Sequence, residues 1–149
     1  MGHAWLGWLL LAHVAATLYM TGLIWFVQIV HYPLFAAVDR SLFPAYERRH
    51  ASLTTWIVAP PMLLELASWG LLLGWRPDKL SAVSLLLGGL LLAVIWLSTF
   101  LIQVPCHNRL TSGFDAGVHR RLVVSNWLRT AAWTARSALL LETVAALLK

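Results

Sequence analysis

Charge is what this chain has least of. Of its 149 residues 11% are Asp, Glu, Lys or Arg, against 60% that are hydrophobic. A mean hydropathy of +0.74 leaves too few polar side chains to coat a water-soluble fold of this size. Cysteine is nearly absent as well. Cys106 stands alone, which excludes a disulfide-stapled secreted scaffold. The chain has no CxxC or HExxH spacing, so no metal-ligand set is assigned from motifs. It also lacks a long basic stripe: despite a pI near 10.2, the Lys and Arg lie in scattered pairs beside apolar runs, which excludes nucleic acid as a partner. The first apolar run has no basic segment before it and no small-residue cleavage site, and it is longer than a signal-peptide core, so it is expected to stay as a helix. No internal repeat is evident, which argues against an alternating-access transporter.

Apolar sequence is what the chain has in quantity. Crossing a hydrocarbon core about 30 Å thick takes roughly 20 apolar residues, and four runs of that order appear: Trp5 to His31, Leu53 to Trp75, Leu80 to Val104 and Leu122 to Leu148. The expected fold is all-α, an integral membrane bundle of four transmembrane helices over residues 5–31, 53–75, 80–104 and 122–148, forming a single domain over residues 1–149. Long connections run from Tyr32 and from Pro105, whereas Arg76-Pro77-Asp78-Lys79 makes a tight hairpin. An even number of spans puts both termini and the hairpin on one side. Arg40, Arg48, Arg49, Arg109, Arg120 and Arg121 fall on the other side, against Arg76, Lys79 and Lys149, so the positive-inside bias predicts cytoplasmic long loops and extracytoplasmic termini. The expected partner is the lipid bilayer. Gly88-Gly89 offers a close helix contact through which an oligomer or a larger membrane complex could form.

Ionisable groups within spans are costly unless paired, so their positions carry the most information. Glu65 and Arg136 fall at similar depth, counted at about 1.5 Å per residue, and are expected to pair, the guanidinium fork meeting both carboxylate oxygens. Such a pair either fixes helix register or orients a substrate. Polar stripes at helical spacing run through His13, Thr17, Thr21, Gln28 and His31; through Gly88, Trp96, Thr99, Gln103 and His107; and through Asn126, Arg129, Thr130, Trp133, Arg136 and Ser137. They grow denser toward the long loops. This predicts one pocket in that half, lined by Gln28, His31, Gln103, His107, Asn126 and Arg129, with Glu65 and Arg136 at its floor and Trp25, Trp96, Trp127 and Trp133 as aromatic walls. Trp5, Trp8, Trp69 and Trp75 read as interfacial anchors. Pro60-Pro61 predicts a kink in the second helix that frees carbonyls near Trp56 and Ile57.

A small hydrophobic or aromatic molecule, quinone-like and flat, suits such a pocket. His31 or His107 would take a phenolic or enolic proton, Arg129 or Arg136 would stabilise the oxyanion, and tryptophans would stack on the rings. The same residues support a second reading, a non-enzymatic subunit that holds haem or a metal through His31 and His107, with His50, His119 and Cys106 on the same side. A structural small subunit of a larger complex is the third.

Pro105-Cys106-His107-Asn108-Arg109-Leu110, followed by Trp127, Trp133 and Arg136, resembles the small four-helix membrane proteins grouped with anthrone oxygenases. In that group a Pro-x-x-Asn-x-Leu-like segment closes the third span and a Trp- and Arg-bearing helix ends the chain. The resemblance covers the four-span layout and the final third of this sequence, while His31-Tyr32-Pro33 falls outside it. It implies a cofactor-independent oxygenase acting on an electron-rich polycyclic phenol.

Overall fold

The computed structural model describes residues 4–77 and 79–148. Asp78 of the hairpin and Lys149 of the charge count lie outside the described residues. All regular structure among them is helical, in four rods: α1 (residues 4–37), α2 (Phe43–Gly74), α3 (Ala82–Leu110) and α4 (Ala116–Leu147). Helix α4 packs along both α1 and α3, and α1 packs along α2, whereas α2 and α3 touch less and leave a cleft between them.

Three helices, α1, α2 and α3, are long and apolar enough to cross a membrane. Helix α4 is as long as α2 but less apolar and is not among them, so three of the four expected runs meet this measure among the described residues. The reason lies in what it buries: Asn126, Arg129, Thr130, Arg136 and Ser137 all point into the bundle, so its polar residues serve the interior. The other three helices carry large exposed apolar side chains, among them Trp8, Leu11, Trp56, Leu90, Phe100 and Leu101. This is an apolar exterior compatible with lipid contact.

The helices overrun the expected boundaries. The long connections shrink to residues 38–42 and 111–115, because α1 continues to residue 37, α3 to Leu110, α2 starts at Phe43 and α4 at Ala116. Hydropathy missed these turns because packing stabilises them: Tyr32, Phe35, Phe43, Cys106, Leu110 and Leu122 form one buried cluster at this loop end. The turns themselves follow local chemistry. Asp39 accepts from the Ser41 amide and hydroxyl at 2.8 and 2.5 Å, contacts that hold its carboxyl below the usual carboxylate range. Gly113 supplies a φ of +151°, and Asp115 caps α4 by accepting from the Val118 amide at 2.8 Å.

Two π-helical turns interrupt the rods, at Val27–His31 in α1 and Thr99–Gln103 in α3. Each ends two residues before a proline, Pro33 or Pro105, whose missing amide and ring contact with the preceding turn disfavour regular α-hydrogen bonding. By contrast, α2 remains helical through Pro60 and Pro61. In the middle layer Met20, Ile24, Met62, Ile95, Ala132 and Trp133 pack together, and at the far end Leu6, Leu72 and Leu80 do.

Gly88 and Gly89 are used within the chain. The Gly88 carbonyl accepts from Arg136 Nη1, and a Cβ on Gly89 would stand 2.3 Å from the Trp69 ring. Trp69 also donates to the Leu85 carbonyl at 2.8 Å, so it locks α2 to α3 where an interfacial anchor was expected. Trp5 and Trp75 do stand exposed at the far end, in edge-to-face contact at 6.1 Å.

Candidate functional site

Polar side chains gather in two places. The first is mid-bundle, where the expected Glu65–Arg136 pair forms: Arg136 Nε donates to Glu65 Oε1 at 3.1 Å, with both side chains buried. The fork geometry differs from expectation. Nη1 goes to the Gly88 carbonyl and Nη2 faces His13 Nε2 at 3.0 Å, while Thr17 donates to the same Glu65 oxygen, leaving Oε2 without a hydrogen bond. His13 Nδ1 in turn meets Ser68 Oγ at 2.6 Å. Four residues from α1 and α2 and one from α4 are thus linked through Glu65 Oε1 and the Arg136 guanidinium, an arrangement suited to a pair that fixes register. Nor is this pair the floor of a pocket in the loop half. Arg136 and His13 border a separate cavity of about 30 Å³ with Leu80, Ser84 and Gly88, toward the hairpin.

The second gathering is at the loop end, and it draws on all four helices. Helix α1 places Gln28 and His31 on its π turn and Tyr32 just after it. Helix α2 contributes Glu47 and His50, one turn apart. Helix α3 brings Gln103 at the end of its own π turn and His107 one turn on, and α4 brings Asn126 and Arg129. His107 Nδ1 lies 2.5 Å from Glu47 Oε1, and His107 Nε2 lies 3.0 Å from the Tyr32 hydroxyl. His31 Nε2 is 2.9 Å from His50 Nδ1, which Thr54 Oγ1 also approaches at 3.1 Å. Asn126 Nδ2 donates to Gln28 Oε1 at 2.9 Å, and Arg129 Nη1 donates to Asn126 Oδ1 at 3.3 Å. The guanidinium also neighbours the Tyr32 hydroxyl. Charge is unevenly matched here: Glu47 is wholly buried with Oε2 unbonded, and buried Arg129 has no carboxylate partner among the described residues and an unbonded Nε.

The single expected pocket is two. A cavity of about 200 Å³ opens between α2 and α3, lined by Tyr32, His50, Thr99, Gln103, His107 and Arg129 among others. A second of about 460 Å³ lies between α1 and α2 and takes His31, Tyr46, Arg49 and His50 with apolar neighbours such as Phe26 and Leu53. His50, Thr54 and Val58 border both. Of the residues expected to line one pocket, Gln103, His107 and Arg129 share the first, and His31 borders the second. Gln28 and Asn126 stand behind Arg129 as buried supports.

The expected aromatic walls are elsewhere. Trp133 is fully buried in the middle core layer with Trp96 against that layer, and each has an indole N–H without a hydrogen bond. Trp25 and Trp127 are exposed, edge to face at 5.7 Å, on the outside of α1 and α4. The aromatic side chains at the loop end include Tyr32, Phe35, Phe43 and Tyr46, a cluster formed by the unexpected helix extensions.

Haem does not fit between His31 and His107. His50 occupies that place, its ring centroid 4.6 Å from His31 and 5.3 Å from His107, and Phe35 packs edge-on against both His31 and His50. A small cation has a different prospect: Glu47, His50 and His107 each present a donor atom, all within 4.8 Å of one another. Glu47 is a residue that the sequence reading did not single out, since it falls in the long connection expected from Tyr32. The signal was Glu47-x-x-His50, a spacing that puts carboxylate and imidazole on one helical face.

Comparison with family models, curated proteins and solved structures returns no match.

Proposed function

We propose that this protein is an integral membrane four-helix bundle whose loop-end cavity binds a flat, hydrophobic phenol or quinone-like molecule. The apolar exteriors of α1, α2 and α3 support insertion, with α4 as a fourth span that turns its polar residues inward. The arginine bias favours cytoplasmic placement of the turns at 38–42 and 111–115, with the hairpin and termini opposite.

Arg129 carries the reading of the cavity. A buried guanidinium without a carboxylate is expensive in an apolar bundle, and this one lines a cavity between apolar helices. A phenolate, enolate or quinone oxygen placed there would complete it, with Gln103 Oε1, also unbonded, free to accept from a hydroxyl. Val58, Val104 and Ala51 supply an apolar remainder suited to rings. The resemblance to anthrone oxygenases supports treating the bound molecule as a substrate. Its acidic proton would pass to His107, backed by Glu47 as an orienting carboxylate, and Arg129 would stabilise the electron-rich anion that meets dioxygen.

The test uses the full chain purified in mild detergent and a hydroxyanthraquinone as probe, followed by its visible absorbance. Wild type should show a saturable spectral shift, and Arg129→Ala should weaken it at least tenfold while eluting as a monodisperse species. Equal binding by a folded Arg129→Ala variant would overturn the assignment.

A further inference from the structure

We propose that Glu47, His50 and His107 hold a divalent first-row transition-metal ion at the wall of the loop-end cavity. Three observations converge on it. The donor atoms of the three side chains lie within 4.8 Å of one another. Metal bonds to imidazole and carboxylate are about 2.0–2.2 Å long, so small side-chain rotations bring all three onto one ion. The second observation is a buried carboxylate that is incompletely bonded. Glu47 is 0% exposed, its ionic contact among the described residues is His107, and its Oε2 makes no hydrogen bond. Beside two imidazoles, a buried carboxylate oxygen without a donor is free to bind a cation.

The third is the set of neighbours behind the ligands. His50 Nδ1 is engaged by His31 at 2.9 Å and Thr54 at 3.1 Å, and His107 Nε2 by Tyr32 at 3.0 Å. Imidazole ligands are typically oriented by such a partner on the ring nitrogen that does not bind metal. The loop end thus has the ligands and the residues that would aim them.

Two imidazoles and one carboxylate are a donor set taken by Zn(II) and by non-haem Fe(II), in each case with coordination positions left open. Here the open side faces the cavity, since His50 and His107 line it together with Tyr32 and Arg129. A water or the oxygen of a bound phenol would occupy it, between the ion and the Arg129 guanidinium. The inference deepens the cavity reading, on which it depends only for the identity of that oxygen. In the loaded site His107 and Glu47 act as ligands, and the positive ion takes over the acidification of a phenol that the imidazole performs without it.

Co(II) is the probe, because its visible absorption reports nitrogen and oxygen coordination directly. Full-length protein stripped with EDTA and titrated with Co(II) should develop visible bands saturating near one ion per chain. Glu47→Gln and His50→Gln should each weaken binding tenfold or more, and His119→Gln, at the same end but outside the set, should bind as wild type does. Having both variants guards against one failing to fold, and elution as a monodisperse species qualifies each. The proposal is overturned by a wild type without Co(II) bands, by folded Glu47→Gln and His50→Gln that bind as wild type does, or by His119→Gln weakening binding as much as they do. Hydroxyanthraquinone binding to the stripped protein separates the two readings: if it persists while Co(II) binding is absent, the ion fails and the cavity stands. Co(II) binding with no hydroxyanthraquinone binding, stripped or loaded, supports the ion and removes the aromatic ligand.

Discussion

His107 Nδ1 and Glu47 Oε1 stand 2.5 Å apart across the cleft between α2 and α3, neighbours that touch less than the other adjacent helices do. The contact gives the loop end a closed side. It also turns the other imidazole nitrogen toward Tyr32, so α1, α2 and α3 meet at one side chain.

Loss of either member should therefore cost more than a surface contact. Glu47→Gln or His107→Asn is expected to destabilise by about 1.5–3 kcal/mol, the range for hydrogen bonds to charged groups. The double variant should fall well short of the sum, because each single change removes the same interaction. Denaturant unfolding in mixed micelles measures all three. Full additivity would mean that the pair is not coupled.

The mid-bundle network makes a sharper prediction. Glu65→Gln and Arg136→Met each leave a buried charge without its counterpart, and each should destabilise by roughly 3–5 kcal/mol. Combining them removes both charges and should recover part of that loss. A double variant less stable than either single one would show that His13, Thr17 and Gly88 depend on the ionic pair for more than its charge.

Gly89 offers a steric test. Gly89→Ala puts a methyl group 2.3 Å from the Trp69 ring, whereas Gly22 has nothing within 4 Å of the same position. The first should destabilise by about 1–3 kcal/mol through overpacking and shift indole emission. Gly22→Ala should do neither. Equal behaviour of the two variants would contradict the close approach of α2 and α3 at this level.

Sidedness can be read with thiol labelling, since Cys106 is buried and its background reactivity should be low. Lys79→Cys should react with an impermeant maleimide added outside intact cells, and Ser112→Cys only after permeabilisation. The opposite pattern inverts the bundle without altering it.

Apolar run length made the helices legible, and equal depth made the Glu65–Arg136 pair legible, because both depend on spacing alone. The helix ends were not, since residues 32–37, 43–52, 105–110 and 116–121 are held by a cluster of Tyr32, Phe35, Phe43 and Leu110 that hydropathy does not register. The same extension hid Glu47: a carboxylate read as part of a loop is a solvated charge, whereas on α2 it is a buried one facing His107. Composition marks Trp133 and Trp96 as aromatic. Only the phase of each helix decides whether they face a cavity or a core, and on α3 the π turn at Thr99–Gln103 shifts the phase of Gln103 and His107 relative to Trp96.

Each of those wide turns acts as one extra residue in an otherwise regular helix. At 3.6 residues per turn, one residue corresponds to a rotation of about 100°, so the loop-end segment of α1 is wound differently from the segment that carries His13 and Thr17. The two polar clusters are in this sense set by independent dials on one rod. Shortening Val27–His31 by a single residue would leave the Glu65–Arg136 network where it is and swing everything beyond it, His31 away from His50 and Tyr32 away from His107. The loop-end site could thus be abolished by a deletion that removes none of its side chains.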